Sequence, residues 1–181
     1  MASFDKFVPP LYLALSEPSS WSSKDAQSYC DWLIGSIDEK TTFLIDFFEI
    51  KINFQSIDKT SAIEALLVLG EEIEGNRDSG IFYNDSDLTN EGFSLAAHVG
   101  LLISRLLFIF RDDLRWEIVK KPKSHISYNL PVISGFGVLS LDPINGAISE
   151  LYGVFEDGQP SDIWADFFKE WLKKKASRSS K

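Results

Sequence analysis

Residues 89–116 read TNEGFSLAAHVGLLISRLLFIFRDDLRW, and between Leu95 and Phe110 only His98, Ser104 and Arg105 interrupt an apolar run dominated by Leu, Ile, Val, Phe and Ala. Thr89, Glu91 and Gly92 give the run a polar, turn-like entry, and Arg111-Asp112-Asp113 closes it with charge. A helix that is apolar on nearly all sides is one that neighbours must cover. The stretch therefore predicts one long buried α-helix around which the rest of the chain packs. At about 100° per residue, Glu91, Ser94, His98, Arg105 and Asp112 share one narrow polar seam, with Ser104 and Arg111 beside it. The run is nearly long enough to cross a bilayer. Arg105 near its centre would cost about 2.5–3.5 kcal/mol there, which favours the core of a soluble domain.

Upstream, Pro9-Pro10 keeps the first twenty residues from starting a regular helix, while Leu11, Tyr12, Leu13 and Leu15 can cover an apolar surface. Ser22 or Ser23 then reads as a cap, and Ala26, Tyr29, Cys30, Leu33, Ile34 and Ile37 follow at helical spacing. That predicts a helix over 23–37, with a second over 39–49 carrying Phe43, Leu44, Phe47 and Phe48. Residues 50–54 alternate as a short strand or an extended connection. Asp58 or Thr60 caps a third helix through Ile73. Two polar loops, EGNRDSG and NDSDLTN, flank Phe82-Tyr83 and lead into the central run.

Downstream the texture changes to strands. Residues 116–119 alternate, residues 120–123 form a basic turn, and residues 124–130 alternate again, which predicts a hairpin. Residues 131–141 predict a third strand whose glycines mark a bend or a close backbone approach. Asp142-Pro143 opens a short helix over 144–152, and Ser161 or Asp162 caps a last helix striped with Ile163, Trp164, Phe167, Phe168, Trp171 and Leu172. Helices segregated from a short run of strands make an α+β class: N-terminal helices and a buried central helix on a small antiparallel sheet, with a C-terminal helix. Residues 1–172 form one domain, and residues 173–181 a basic disordered tail.

At 181 residues with 44% hydrophobic content the chain has ample core for one domain. The formal charge of −9 includes five positive charges in the last nine residues, so residues 1–172 carry −14. An acidic body repels nucleic-acid phosphates and anionic membranes and suits a basic protein partner. The opening residues lack a signal-peptide pattern and there is one cysteine, which together point to the cytoplasm.

Motifs for chemistry are missing. His98 and His125 lie on different elements and no HExxH or CxxC spacing occurs, so neither a metal nor another cofactor is expected. Cys30 falls on an apolar stripe, where a free thiol behaves as a small hydrophobe. Gly135-Phe136-Gly137 lacks the lysine and helix start of a phosphate loop. Two features remain. The seam residues His98 and Arg105 could form a polar ligand or enzyme site if they face a common pocket. The acidic clusters Glu71, Glu72, Glu74 and Asp85, Asp87 are ordinary solvated faces or a patch for a basic partner. Tryptophans such as Trp21, Trp32, Trp164 and Trp171 serve cores and interface anchors alike.

In order, the segments PSSWSSKDAQSYCDWLIGSI (18–37), EALLVLGEEI (64–73), LAAHVGLLISRLL (95–107), LRWEI (114–118), NLPVISGFG (129–137), LDPINGAI (141–148) and YGVFEDG (152–158) span about 130 residues. Together they resemble a set of small bacterial cytoplasmic proteins similar to immunity proteins of contact-dependent or secreted toxin systems. In those relatives a helix with a small-residue turn, here His98-Val99-Gly100, precedes a Trp-containing strand, here Trp116. A Pro-containing strand and an Asp-Pro helix follow, here at Pro131 and Asp142-Pro143. Where the pattern often has an acid after the helix glycine, this chain has Leu101, so that acid's role does not carry over. The resemblance implies a non-enzymatic protein, monomer or homodimer, that binds and neutralises a cognate toxin.

Overall fold

Polar residues ahead of each apolar run cap the helix that follows. Ser22 Oγ accepts from the Asp25 backbone N–H at 3.2 Å, and the Asp25 carboxylate accepts from the Ser22 N–H at 3.0 Å. Asp58 Oδ1 takes the Ser61 N–H at 2.8 Å, Thr89 Oγ1 the Gly92 N–H at 3.0 Å, and Asp142 Oδ1 the Asn145 N–H at 3.1 Å. In the computed structural model, which describes residue 4 and residues 6–84 and 87–174, these caps open four of the helices.

In chain order the elements are α1 (Leu11–Ala14), α2 (Ser23–Phe47), α3 (Lys59–Gly75), β1 (Tyr83–Asn84), β2 (Asp87–Leu88), α4 (Asn90–Phe110), β3 (Arg115–Ile118), β4 (Pro131–Phe136), β5 (Leu139–Leu141), α5 (Pro143–Phe155) and α6 (Ile163–Lys173). The fold is α+β: helices around α4, a three-stranded antiparallel sheet in the order β3-β4-β5, and the small β1-β2 pair.

Helix α4 is the hub. It packs most extensively on α5, then on α2 and α6. Leu95, Val99, Leu102, Ile103 and Leu106 have no exposed surface, each contributing about 1.5–3 kcal/mol by burial. By length and composition α4 could cross a membrane, with a mean hydropathy of 1.9 over its most apolar window, yet 72% of that window is buried by its neighbours. Gly100 lets α5 lie against it: a Cβ there would stand 2.4 Å from the Pro143 carbonyl oxygen and 2.8 Å from its carbon.

Besides the single helical turn α1 that starts directly after Pro9-Pro10, where no regular helix was expected, two larger expectations are corrected. Residues 23–37 and 39–49 are not two helices but the single 25-residue α2. Its buried stripe continues through Ser36, Lys40 and Thr41, whose polarity hides the continuity in the sequence. Ser36 and Thr41 turn their hydroxyls back onto the Leu33 and Ile37 carbonyls at 2.8 and 2.7 Å, which makes them acceptable inside. Beyond α2, Glu49 takes a left-handed backbone (φ 54°), the Ile50 N–H returns to the Ile45 carbonyl at 2.8 Å, and residues 50–54 are a connection.

The second correction concerns residues 124–130, which form turns rather than a strand. Ile126 is 83% exposed while Ser127 and Asn129 are buried, the reverse of the alternation expected. Asn129 sits at φ 63° and its amide donates to the Pro18 and Trp21 carbonyls at 2.9 and 3.1 Å. The partner of β3 is instead β4, with Trp116 opposite Ile133 and Ile118 opposite Pro131. A first strand position suits Pro131, which has no N–H to donate. Residues 131–141 divide into β4 and β5 at a two-residue turn in which Gly137 adopts φ 78°. At the end of the chain, Lys173 closes α6 and so belongs to the helix; residues 175–181, the rest of the expected tail, lie outside the described residues.

Candidate functional site

The seam on α4 is closed along its middle. His98 is completely buried, and its Nδ1 donates to the Ser94 carbonyl at 2.6 Å. The rings of Phe4, Phe43 and Phe7 surround it at 5.2, 5.6 and 6.2 Å. Ser94 Oγ donates to the Asn90 carbonyl at 2.9 Å and accepts the Phe7 N–H at 3.0 Å, pinning the N-terminal segment across the seam. Two turns further on, Arg105 turns to α2. It donates to Thr41 Oγ1 at 2.7 Å, pairs with Asp38 Oδ1 at 3.0 Å and lies 3.5 Å above the Phe54 ring. Glu91 is half-buried in the first turn of α4 and Asp112 is exposed in the turn after it. With 21 residues in α4, at about 1.5 Å each, those two stand roughly 30 Å apart. Ser94, His98 and Arg105 join the hub to its cover, and the five residues do not converge on a common pocket.

Among the described residues no group of three His, Cys, Asp or Glu side chains gathers to hold a metal ion. Cys30 is buried, and that burial pushes its thiol up, away from the thiolate a nucleophile needs.

The acidic clusters have a different fate. Chain folding carries the C-terminal ends of α3 and α5 and the start of α4 to one end of the molecule. Arg77, just past α3, is 3.9 Å from Glu74 and donates to the Val154 carbonyl of α5. Tyr83 stacks on Phe155 at 5.5 Å and donates to Glu156 at 2.9 Å. The Tyr152 hydroxyl donates to Asp87. Glu71 and Glu72 are exposed beside them, and Asp85 lies outside the described residues. Both phenols are raised above their usual range, Tyr152 chiefly by its bond to Asp87, and Tyr83 by burial and then by Glu156.

Sequence inspection finds the Glu71–Glu74 and Asp85–Asp87 clusters but not Tyr83, Tyr152 or Glu156. A running charge count would have found the region. Residues 60–104 and 124–168 hold fourteen acidic side chains and a single basic one, Arg77. They carry −13, and the remainder of the chain carries +4. Neither α3 nor α5 has a basic residue in its last turn. Acids at a helix C-terminus oppose the macrodipole by about 0.3–1 kcal/mol each, so this charge sits where it weakens the helices that carry it.

At the opposite end Arg111 acts as a clamp. It donates to the Gly135 carbonyl of β4 at 2.9 Å, to the Lys174 carbonyl after α6, and to Asp113, with its guanidinium 5.0 Å from the Phe136 ring. Beside it Phe136 meets Trp171 at 4.8 Å, so the sheet, α4 and α6 are tied together there. No family model, curated protein or solved structure matches the chain.

Proposed function

We propose that the protein is a non-catalytic bacterial immunity protein, working in the cytoplasm, that binds and neutralises a basic toxin domain through its acidic end. The observation that carries this reading is the group of acids at the end where α3 and α5 finish and α4 starts, with Glu71, Glu72, Glu74, Asp87 and Glu156 around Arg77. Such a field steers a basic partner and raises its association rate. Placement of acids at the C-termini of α3 and α5, against helix stability, supports selection for a surface rather than for folding. The sequence resemblance to immunity proteins supports the same class.

The test is co-expression with the product of the adjacent upstream gene, followed by affinity capture and a growth-protection assay. A complex and protection are expected. The variant E71K/E72K changes two exposed side chains and should slow association most at low salt, while K120E/K121E at the other end should not. Absence of both complex and protection overturns the reading; equal effects of the two double variants move the interface away from the acidic end.

A further inference from the structure

Between α2, the start of β4 and the first turn of α5 lies a half-open cavity of about 60 Å³. One water needs roughly 10–15 Å³ of such space, so there is room for about four to six non-hydrogen atoms. Leu33, Leu130, Pro131 and Ile144 make its apolar walls, and Asp142, Asn145 and Tyr29 supply the polar groups. This site is at the far end of α5 from Tyr152 and Glu156, and nothing in it depends on the acidic end.

The Asp142 carboxylate is held in place but not used up. Its Oδ1 accepts the Asn145 backbone N–H at 3.1 Å and its Oδ2 the Asn145 side-chain amide at 2.7 Å. A carboxylate has about four acceptor positions, so two remain, and among the described residues Asp142 has no ion-pair partner. Tyr29 is 8% exposed, between Trp21 at 5.1 Å and Trp32 at 5.5 Å. Burial, with the nearby Asp142 charge, raises its phenol far above the usual range, so it remains a neutral hydroxyl whose oxygen can accept.

We propose that this cavity binds a primary alkylammonium group the size of the outer half of a lysine side chain, its carbons on Leu33, Leu130 and Ile144 and its nitrogen at Asp142 and Tyr29. The chemistry excludes the alternatives in turn. An anion would meet the Asp142 carboxylate, whose full charge outweighs the partial positive charge, about half a unit, of the α5 N-terminus. A purely apolar ligand would strip water from that carboxylate without compensation. A guanidinium, a planar head with N–H groups on every edge, would set polar groups against the aliphatic walls. An alkylammonium satisfies both kinds of surface at once.

Asparagine caps helices as well as aspartate, so D142N removes the charge while retaining α5, and Y29F removes the hydroxyl. The experiment titrates n-butylammonium chloride, n-butanol and N-acetyl-lysine methylamide into labelled full-length protein, following the backbone amides of Leu33 and Asn145 by NMR. Butylammonium should bind about tenfold or more tightly than butanol, the scale of a charge-assisted hydrogen bond. D142N should abolish that preference and Y29F reduce it. If N-acetyl-lysine methylamide also binds, the site takes a protein-borne lysine; if only butylammonium binds, it takes free amines. Equal binding of butanol and butylammonium, an undiminished preference in D142N, or no shift with any probe overturns the proposal.

Discussion

Arg105 lies with its guanidinium 3.5 Å above the ring of Phe54, a residue of the connection between α2 and α3. The same group reaches Thr41 and Asp38 on α2. One side chain of the hub thus holds both the helix that covers it and the segment leaving that helix. Arg105→Ala should cost about 2–3 kcal/mol, combining a partly buried cation–π contact with a lost hydrogen bond. The Asp38 side chain is 85% exposed, so Asp38→Asn should cost under about 1 kcal/mol. Urea denaturation of both variants measures the difference. Equal losses would show that the ion pair, not the stacking, fixes the seam.

Two glycines separate space from conformation. Gly100→Ala drives a methyl into the Pro143 backbone, which cannot swing aside as a side chain can. A loss of about 3 kcal/mol or more is expected, at the upper end of overpacking. Gly35 inside α2 has open space where a Cβ would stand, with nothing within 4 Å, so Gly35→Ala should stabilise by about 0.5–1 kcal/mol. Thermal melts of the pair should move in opposite directions.

At Asn129 a left-handed backbone and a side-chain bridge to Pro18 and Trp21 occur in one residue. Asn129→Gly keeps the backbone comfortable and loses the bridge. Asn129→Ala loses both, adding about 1 kcal/mol of strain. The expected order of stability is wild type, then glycine, then alanine. Reversal of the two variants would mean that backbone freedom in the unfolded chain outweighs the turn.

Burial, then the charge of Glu170, raises the Glu150 carboxyl above its usual range. A carboxyl whose folded pKa exceeds the unfolded one binds more protons when folded, so it weakens the fold as pH rises through that folded pKa. Glu150→Gln should therefore raise Tm at pH 7 and lose the advantage at pH 4. Asp25 and Asp58 titrate the other way, held low by their hydrogen bonds to Ser22 and to the Ser61 backbone. Their contribution is present above the unfolded aspartate pKa and lost as pH falls through the folded one. Melts from pH 3 to 8 would expose the two opposing slopes, and an E150Q advantage independent of pH would contradict this account.

The central helix was legible because burial on all sides leaves an unmistakable apolar run. The join within α2 was not, because its stripe passes through Ser36, Lys40 and Thr41, whose burial depends on bonds and contacts no pattern reveals. Residues 124–130 misled for the opposite reason. Their alternation is real, but a tertiary bridge from Asn129 overrides it. The seam showed on the helical wheel, whereas its cover, Phe4, Phe7 and Phe54, comes from segments outside every helix and strand, which no pattern assigns to it. The role of Arg111 as a clamp on β4 and α6 rests wholly on long-range contacts.

The acids gathered where α3 and α5 finish also give the protein a preferred face toward a positively charged surface. Its behaviour on an ion exchanger should follow orientation rather than the average. A positively charged resin meets that face first, so the protein should elute at higher salt than other proteins of net charge −9. Adding acids to the Arg115–Lys123 end should change that elution less than removing the same number from the Glu71–Asp87 end.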